Sequence, residues 1–197
     1  MDTELLNQKE IGTCSICNKE LSLFGSKQLK DGVICRDCVK LISEWFTDEQ
    51  LARKSVKSIK NHLKHREENQ KALELFNPNI TVKGKYSLYI DTVNRKFSIS
   101  KKTDLLQANA DVYNLSAIRE LSIIEEKYED TDNLDVYVEI RLFNADNRKI
   151  RFRVNEFPGL EKGSEQHFEA KKLANDYIQA LMSKGGLEFN RLQFRRG

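Results

Sequence analysis

Four cysteines are the residues of this chain whose type and spacing point most directly to chemistry. They stand as two C-x-x-C pairs, Cys14-Ser15-Ile16-Cys17 and Cys35-Arg36-Asp37-Cys38, with 17 residues between the pairs. No other cysteine occurs in the 197-residue sequence. The spacing falls in the range of a four-thiolate zinc site. A C-x-x-C turn aims two sulfurs at one point, and two such turns complete the tetrahedral shell that Zn2+ prefers. A shell closed by four protein ligands leaves no position for water or substrate. The expected cofactor is therefore a structural Zn2+ on Cys14, Cys17, Cys35 and Cys38, which builds a fold and does no chemistry. The competing chemistries are disulfides and a redox dithiol. Disulfides need an oxidising compartment, whereas the N-terminus, Met1-Asp2-Thr3-Glu4, is acidic and lacks the apolar region of a signal peptide. That sets the expectation of a cytoplasmic protein. A redox C-x-x-C follows a strand in a βαβ pattern and does not come as a spaced duplicate.

The elements that must position these thiols are read from the pattern around them. Residues 11–46 form the expected metal module, with Lys30-Asp31-Gly32 as a turn before Val33-Ile34-Cys35. Its apolar residues Leu21, Leu23, Phe24, Leu29, Val33 and Ile34 are too few for an independent core. Metal binding, worth about 10–16 kcal/mol in small zinc peptides, would have to supply much of the stability. The run Val39–Phe46 has helical spacing and should lay Leu41, Ile42 and Trp45 against the knuckles.

Thr47 reads as an N-cap with Gln50 three residues on, a capping box supported by Asp48 and Glu49 in the first turn. Ala52, Val56, Ile59, Leu63, Gln70 and Leu73 trace a rough stripe, and Pro78 sets a stop near Asn77. Residues 47–77 thus read as one connecting helix, roughly 28 residues and about 42 Å long.

After Pro78 the pattern alternates. Strands are expected at 85–91, 96–100, 111–118, 120–128, 134–143 and 149–155, with turns at Asn94-Arg95 and Asp146-Asn147. From Ser164 to Lys184 the pattern turns helical, with Phe168, Leu173, Ala174, Tyr177, Ile178 and Leu181 spaced for one buried face and Gly185-Gly186 as the stop. Consecutive short strands closed by one amphipathic helix give an α+β class. The expected arrangement over 80–184 is a PH-like antiparallel β-barrel with a C-terminal helix, followed by a tail at 185–197; a generic α+β sheet is the alternative.

Several stretches together resemble the small bacterial zinc-ribbon domains of a family of unknown function. They are Cys14-x-x-Cys17-Asn18-Lys19-Glu20-Leu21, Leu23-Phe24-Gly25, Lys30-Asp31-Gly32 and Cys35-x-Asp37-Cys38. The resemblance covers about residues 11–46 and extends into the helix through His62-Leu63 and Arg66-Glu67-Glu68-Asn69. Beyond residue 80 it is carried only by the order of elements, with Leu88–Asp91 followed by Phe97, then Ile118-x-x-Leu121. It implies a zinc ribbon ahead of a helix and a β-rich domain, and a bacterial or phage source. It implies no activity, because the family has none defined.

Composition narrows the function classes. Charged residues make up 32% of the chain but net charge is only +3, which gives no global nucleic-acid signature. The sequence has no G-x-x-x-x-G-K, G-x-S-x-G or H-E-x-x-H motif, so no enzyme class and no small-molecule substrate is indicated. Arg53, Lys57, Lys60 and Lys64 fall on one side of the expected helix and could grip phosphates; a solvated face is the plainer reading. His62 and His65 sit one turn apart on what reads as a polar helix face, and His167 has no recognisable partner. Glu125, Glu126, Glu129, Asp130, Asp132 and Asp135 form an acidic stretch opposite the basic strand Arg148–Arg153 and a basic tail at Arg191, Arg195 and Arg196.

The expectation that follows is a non-enzymatic adaptor that binds a protein partner. The alternative is nucleic-acid binding through the ribbon and the basic helix face. Membrane docking is a weaker third class, since no insertion loop or dense polybasic cluster is visible.

Overall fold

A computed structural model describes residues 12–22, 24–143 and 149–185. The chain is of mixed α+β class and divides into two units, with the boundary between Glu67 and Glu68. Among the described residues no helix is long and apolar enough to cross a membrane.

The first unit is built on a short hairpin, β1 (Lys27–Leu29) and β2 (Gly32–Ile34), paired antiparallel with Leu29 opposite Gly32. Gly32 is needed for close approach: a Cβ there would collide with the Ser15 side chain and lie 2.8 Å from Val56 Cγ2. Helix α1 (Arg36–Lys40) starts directly from Cys35 as N-cap. The helix expected over Val39–Phe46 therefore comes earlier and ends as a turn. Ile42 and Trp45 are buried as expected, but Leu41, the C-cap, is 52% exposed.

The expected connecting helix over 47–77 is two helices, α2 (Asp48–Ala52) and α3 (Val56–Glu74). The capping box is present: Thr47 Oγ1 accepts from Gln50 N and Gln50 Oε1 accepts from Thr47 N. The break at 53–55 is fixed by two side-chain caps, one local and one from the hairpin. Ser55 Oγ accepts the amide of Ser58 at 3.2 Å, and Asp31 Oδ1 from the hairpin turn accepts that of Val56 at 2.7 Å. Both satisfy amides that a continuous helix would have bonded to its own carbonyls.

The core of this unit is larger than the hairpin alone supplies. Leu29, Ile34, Ile42, Leu51 and Ile59 pack with Cys14, Cys35 and Cys38, flanked by Ile16, Leu21, Val39, Phe46, Val56 and Leu63. Leu51, Ile59 and Leu63 come from α2 and α3. Phe24 takes no part and is 82% exposed, and Leu23 lies outside the described residues.

The second unit holds two antiparallel sheets. One has four strands in the order β3 (Ile80–Val82), β4 (Ser87–Asp91), β5 (Lys96–Ser100) and β6 (Val112–Asn114). The other has three, β7 (Ile118–Lys127), β8 (Leu134–Leu142) and β9 (Lys149–Arg153). Helix α4 (Glu165–Gly185) packs chiefly on β8 and β7. No closed barrel forms among the described residues, which corrects that expectation. β3 is an added strand, and the strand expected over 111–118 is β6 followed by a 3-10 turn, Leu115–Ala117. The expected turn at Asp146-Asn147, the residues Gly186, Arg191, Arg195 and Arg196 and the rest of the tail lie outside the described residues.

Period-2 burial builds this core: Val136, Val138, Ile140 and Leu142 along β8 face Ile150 and Phe152 of β9. Ala170, Ala174, Tyr177, Ile178 and Leu181 form the buried stripe of α4. Phe168 was expected on that stripe but is 64% exposed. It lies six residues before Ala174, about a third of a turn off the buried face, whereas His167, seven before, falls on it. The end of α3 contributes Asn69 to this unit. Its side chain donates to Ala110 O and accepts from the amide of Val112, both at 2.8 Å.

Candidate metal centre

The two knuckles are held by backbone bonds before any side chain is considered. In the first, Asn18 N donates to Cys14 O and Cys14 N to Lys19 O, with Asn18 at φ 61° closing the turn. Asparagine is among the few side chains that tolerate this left-handed conformation. Ser15 stitches the knuckle to β2: its N–H donates to Val33 O at 2.8 Å and its Oγ accepts from Val33 N at 3.1 Å. In the second knuckle Cys35 caps α1, which places Cys38 on the helix face turned to the core.

These contacts bring four sulfurs within 4.8 Å of one another. Cys17 Sγ and Cys35 Sγ are 3.7 Å apart, and the cysteines are free thiols. Tetrahedral metal–sulfur bonds of about 2.3 Å put neighbouring sulfurs about 3.8 Å apart. The donor set thus fits a tetrahedral, thiophilic divalent ion, with Cys14, Cys17, Cys35 and Cys38 as the residues that would hold it. The amides of Ile16 and Cys35 donate to Cys14 Sγ at 3.4 and 3.3 Å, bonds that favour a thiolate there. Burial pushes the Cys14 thiol up, but the amides of Cys17, Cys35 and Ile16 outweigh it and bring the pKa down to about 6. Cys38 is raised instead, first by burial and then by the neighbouring thiols and the charge on Cys14. Cys38 thus resists ionisation beside the Cys14 thiolate, and a divalent cation held by the sulfurs would reverse that balance.

The other expected site residues separate. Lys57, Lys60 and Lys64 are exposed on α3 at positions i, i+3 and i+7, one face of a helix. Arg53 is exposed too, but it is the C-cap of α2 and does not continue that row. His62 and His65 do not form a pair. His65 is exposed, whereas His62 is buried, its Nε2 accepting from Ser43 N at 3.2 Å and its ring edge-on to Phe46 at 5.0 Å. The polar-face reading of His62 is therefore corrected.

His167 also has partners. Its Nδ1 accepts from Gly163 N at 3.1 Å, and its Nε2 faces Glu125 Oε2 at 3.1 Å, where Lys171 also binds. Because a backbone amide can only donate, Nδ1 carries the lone pair and Nε2 the proton that Glu125 accepts. The sequence separation of 42 between His167 and Glu125 hid this contact from the sequence. Much of the acidic stretch is likewise internally paired: Glu126 with Arg151, Asp132 with Lys127, and Asp135 with Arg153.

Residues 13–62, about a quarter of the chain, match the profile of a family described as "Domain of unknown function (DUF4428)". The matched span begins at the residue before Cys14 and ends at the buried His62. It encloses both knuckles, α1, α2 and the first turns of α3. No curated protein and no solved structure matches the chain.

Proposed function

We propose that this protein is a non-enzymatic, cytoplasmic binding protein whose first unit is a ribbon folded around one Zn2+, held by Cys14, Cys17, Cys35 and Cys38. The observation that carries this reading is the complete set of four protein sulfurs within 4.8 Å, which leaves the ion no open position for substrate. Residues 80–184 we read as PH-like. In support, among the described residues seven strands run consecutively as four and three, followed by a single helix packed chiefly on the second sheet.

A protein partner is the favoured ligand. The turn at Phe157 is held firmly: Asn155 Nδ2 donates to Phe157 O at 2.6 Å and to Asp135 Oδ1 at 2.8 Å, which also accepts from Gly159 N. On that fixed turn the Phe157 ring is 75% exposed, and exposed Phe168 lies in the first turns of α4. Large aromatics displayed on a rigid support are the usual anchors of protein interfaces. The second reading is nucleic-acid binding, supported by the exposed row of Lys57, Lys60 and Lys64.

One capture experiment separates the two. The full chain, its Phe157→Ala/Phe168→Ala variant and its Lys57→Glu/Lys60→Glu variant, each shown folded by circular dichroism, are used as bait in lysate of the source cells. Protein docking predicts specific proteins that survive nuclease and are lost with the aromatic pair. Nucleic-acid binding predicts nuclease-sensitive capture lost with the lysine pair, the salt slope falling by about 1 per phosphate contact removed. Recovery of no macromolecule contradicts the proposal.

A further inference from the structure

The four sulfurs differ in their surroundings. Cys14, Cys35 and Cys38 belong to the apolar core of the first unit, whereas Cys17 stands outside it and is the least buried of the four. Across the cluster its sulfur lies 3.7 Å from that of Cys35. Accessible thiolates are the ones that solution oxidants attack, and a sulfenic acid with a second sulfur in reach condenses with it. Resting on the zinc reading above, we propose that Cys17 is an oxidation site through which hydrogen peroxide unlocks the metal centre.

In the first step the Cys17 thiolate attacks one peroxide oxygen. An S–O bond forms, the O–O bond breaks, the sulfur loses two electrons and hydroxide leaves. In the second, the Cys35 thiolate attacks the Cys17 sulfenic sulfur. An S–S bond forms and the sulfenic oxygen departs as a second hydroxide. Two thiolates have then given two electrons to one peroxide. Zn2+ loses two of its four ligands and is released. Cys14 and Cys35 are shared between the metal shell and the core, so release also loosens the packing around Leu29 and Ile34.

The test uses the full-length protein as purified under reducing conditions. Zinc content is measured first, because a metal-free protein that is fully folded refutes the zinc reading itself. Zinc-loaded protein is then titrated with hydrogen peroxide, following release with a chromogenic chelator and mapping disulfides by mass spectrometry. A parallel sample receives substoichiometric iodoacetamide. The expected results are zinc release in step with a Cys17–Cys35 disulfide, reversal by reductant plus zinc, and first alkylation at Cys17. Zinc retained under peroxide that oxidises a control thiol peptide overturns the proposal. A first disulfide of any other pairing, or first alkylation at Cys14, Cys35 or Cys38, overturns it as well.

Discussion

Glu139 lies in β8 with its side chain almost wholly buried between Arg141 and Lys149, bonded to them at 2.8 and 3.1 Å. Burial raises its carboxyl, but the two cations outweigh that and hold it below the usual carboxylate range. Asp135 is lowered in the same direction, burial being outweighed by Asn155, the Gly159 amide and Arg153. A carboxyl whose folded pKa lies below its unfolded one binds more protons in the unfolded state. Its contribution is therefore full above the unfolded value, about 4.3 for Glu, and is lost as pH falls through the folded value. Urea unfolding of the second unit should show a stability plateau down to about pH 5 and a fall below it. Glu139→Gln should be less stable at pH 7 and show a shallower acid fall; an unchanged acid limb would contradict the assignment. At this scale the four thiols were legible because C-x-x-C spacing is local. The bonds of His167 to Glu125 and of Asn155 to Asp135 span 42 and 20 residues, and only the folded chain joins them.

Helices show the same division between local and distant causes. The capping box at Thr47 and Gln50 was readable because both halves lie within one turn. The end of α2 was not, because the amide that begins α3 is satisfied by Asp31, 25 residues away in the hairpin turn. The rough stripe from Ala52 to Leu73 ran across that break and concealed it. The exposure of Phe168 has a similar origin: spacing alone put it near the stripe, and the packing of α4 on β8 and β7 fixed which arc was covered. Since α2 delivers Leu51 to the metal-side core, its cap should matter beyond the helix. Thr47→Ala should destabilise the first unit by about 1 kcal/mol, read as a lower urea midpoint with unchanged slope. An unchanged midpoint would mean that α2 is positioned by packing alone.

The two units carry separate optical reporters. The chain's single tryptophan, Trp45, is buried in the first unit, and its six tyrosines, 86, 89, 113, 128, 137 and 177, all lie in the second. This division allows the central claim, that a zinc ion folds the first unit, to be measured directly. Metal content by mass spectrometry should give about one zinc per chain. Removal by a strong chelator under reducing conditions should red-shift Trp45 emission as water reaches the indole, leave the tyrosine circular dichroism in place, and reverse on adding zinc. A chain that contains no metal and keeps a buried Trp45, or one whose Trp45 emission is unmoved by complete chelation, would contradict the claim.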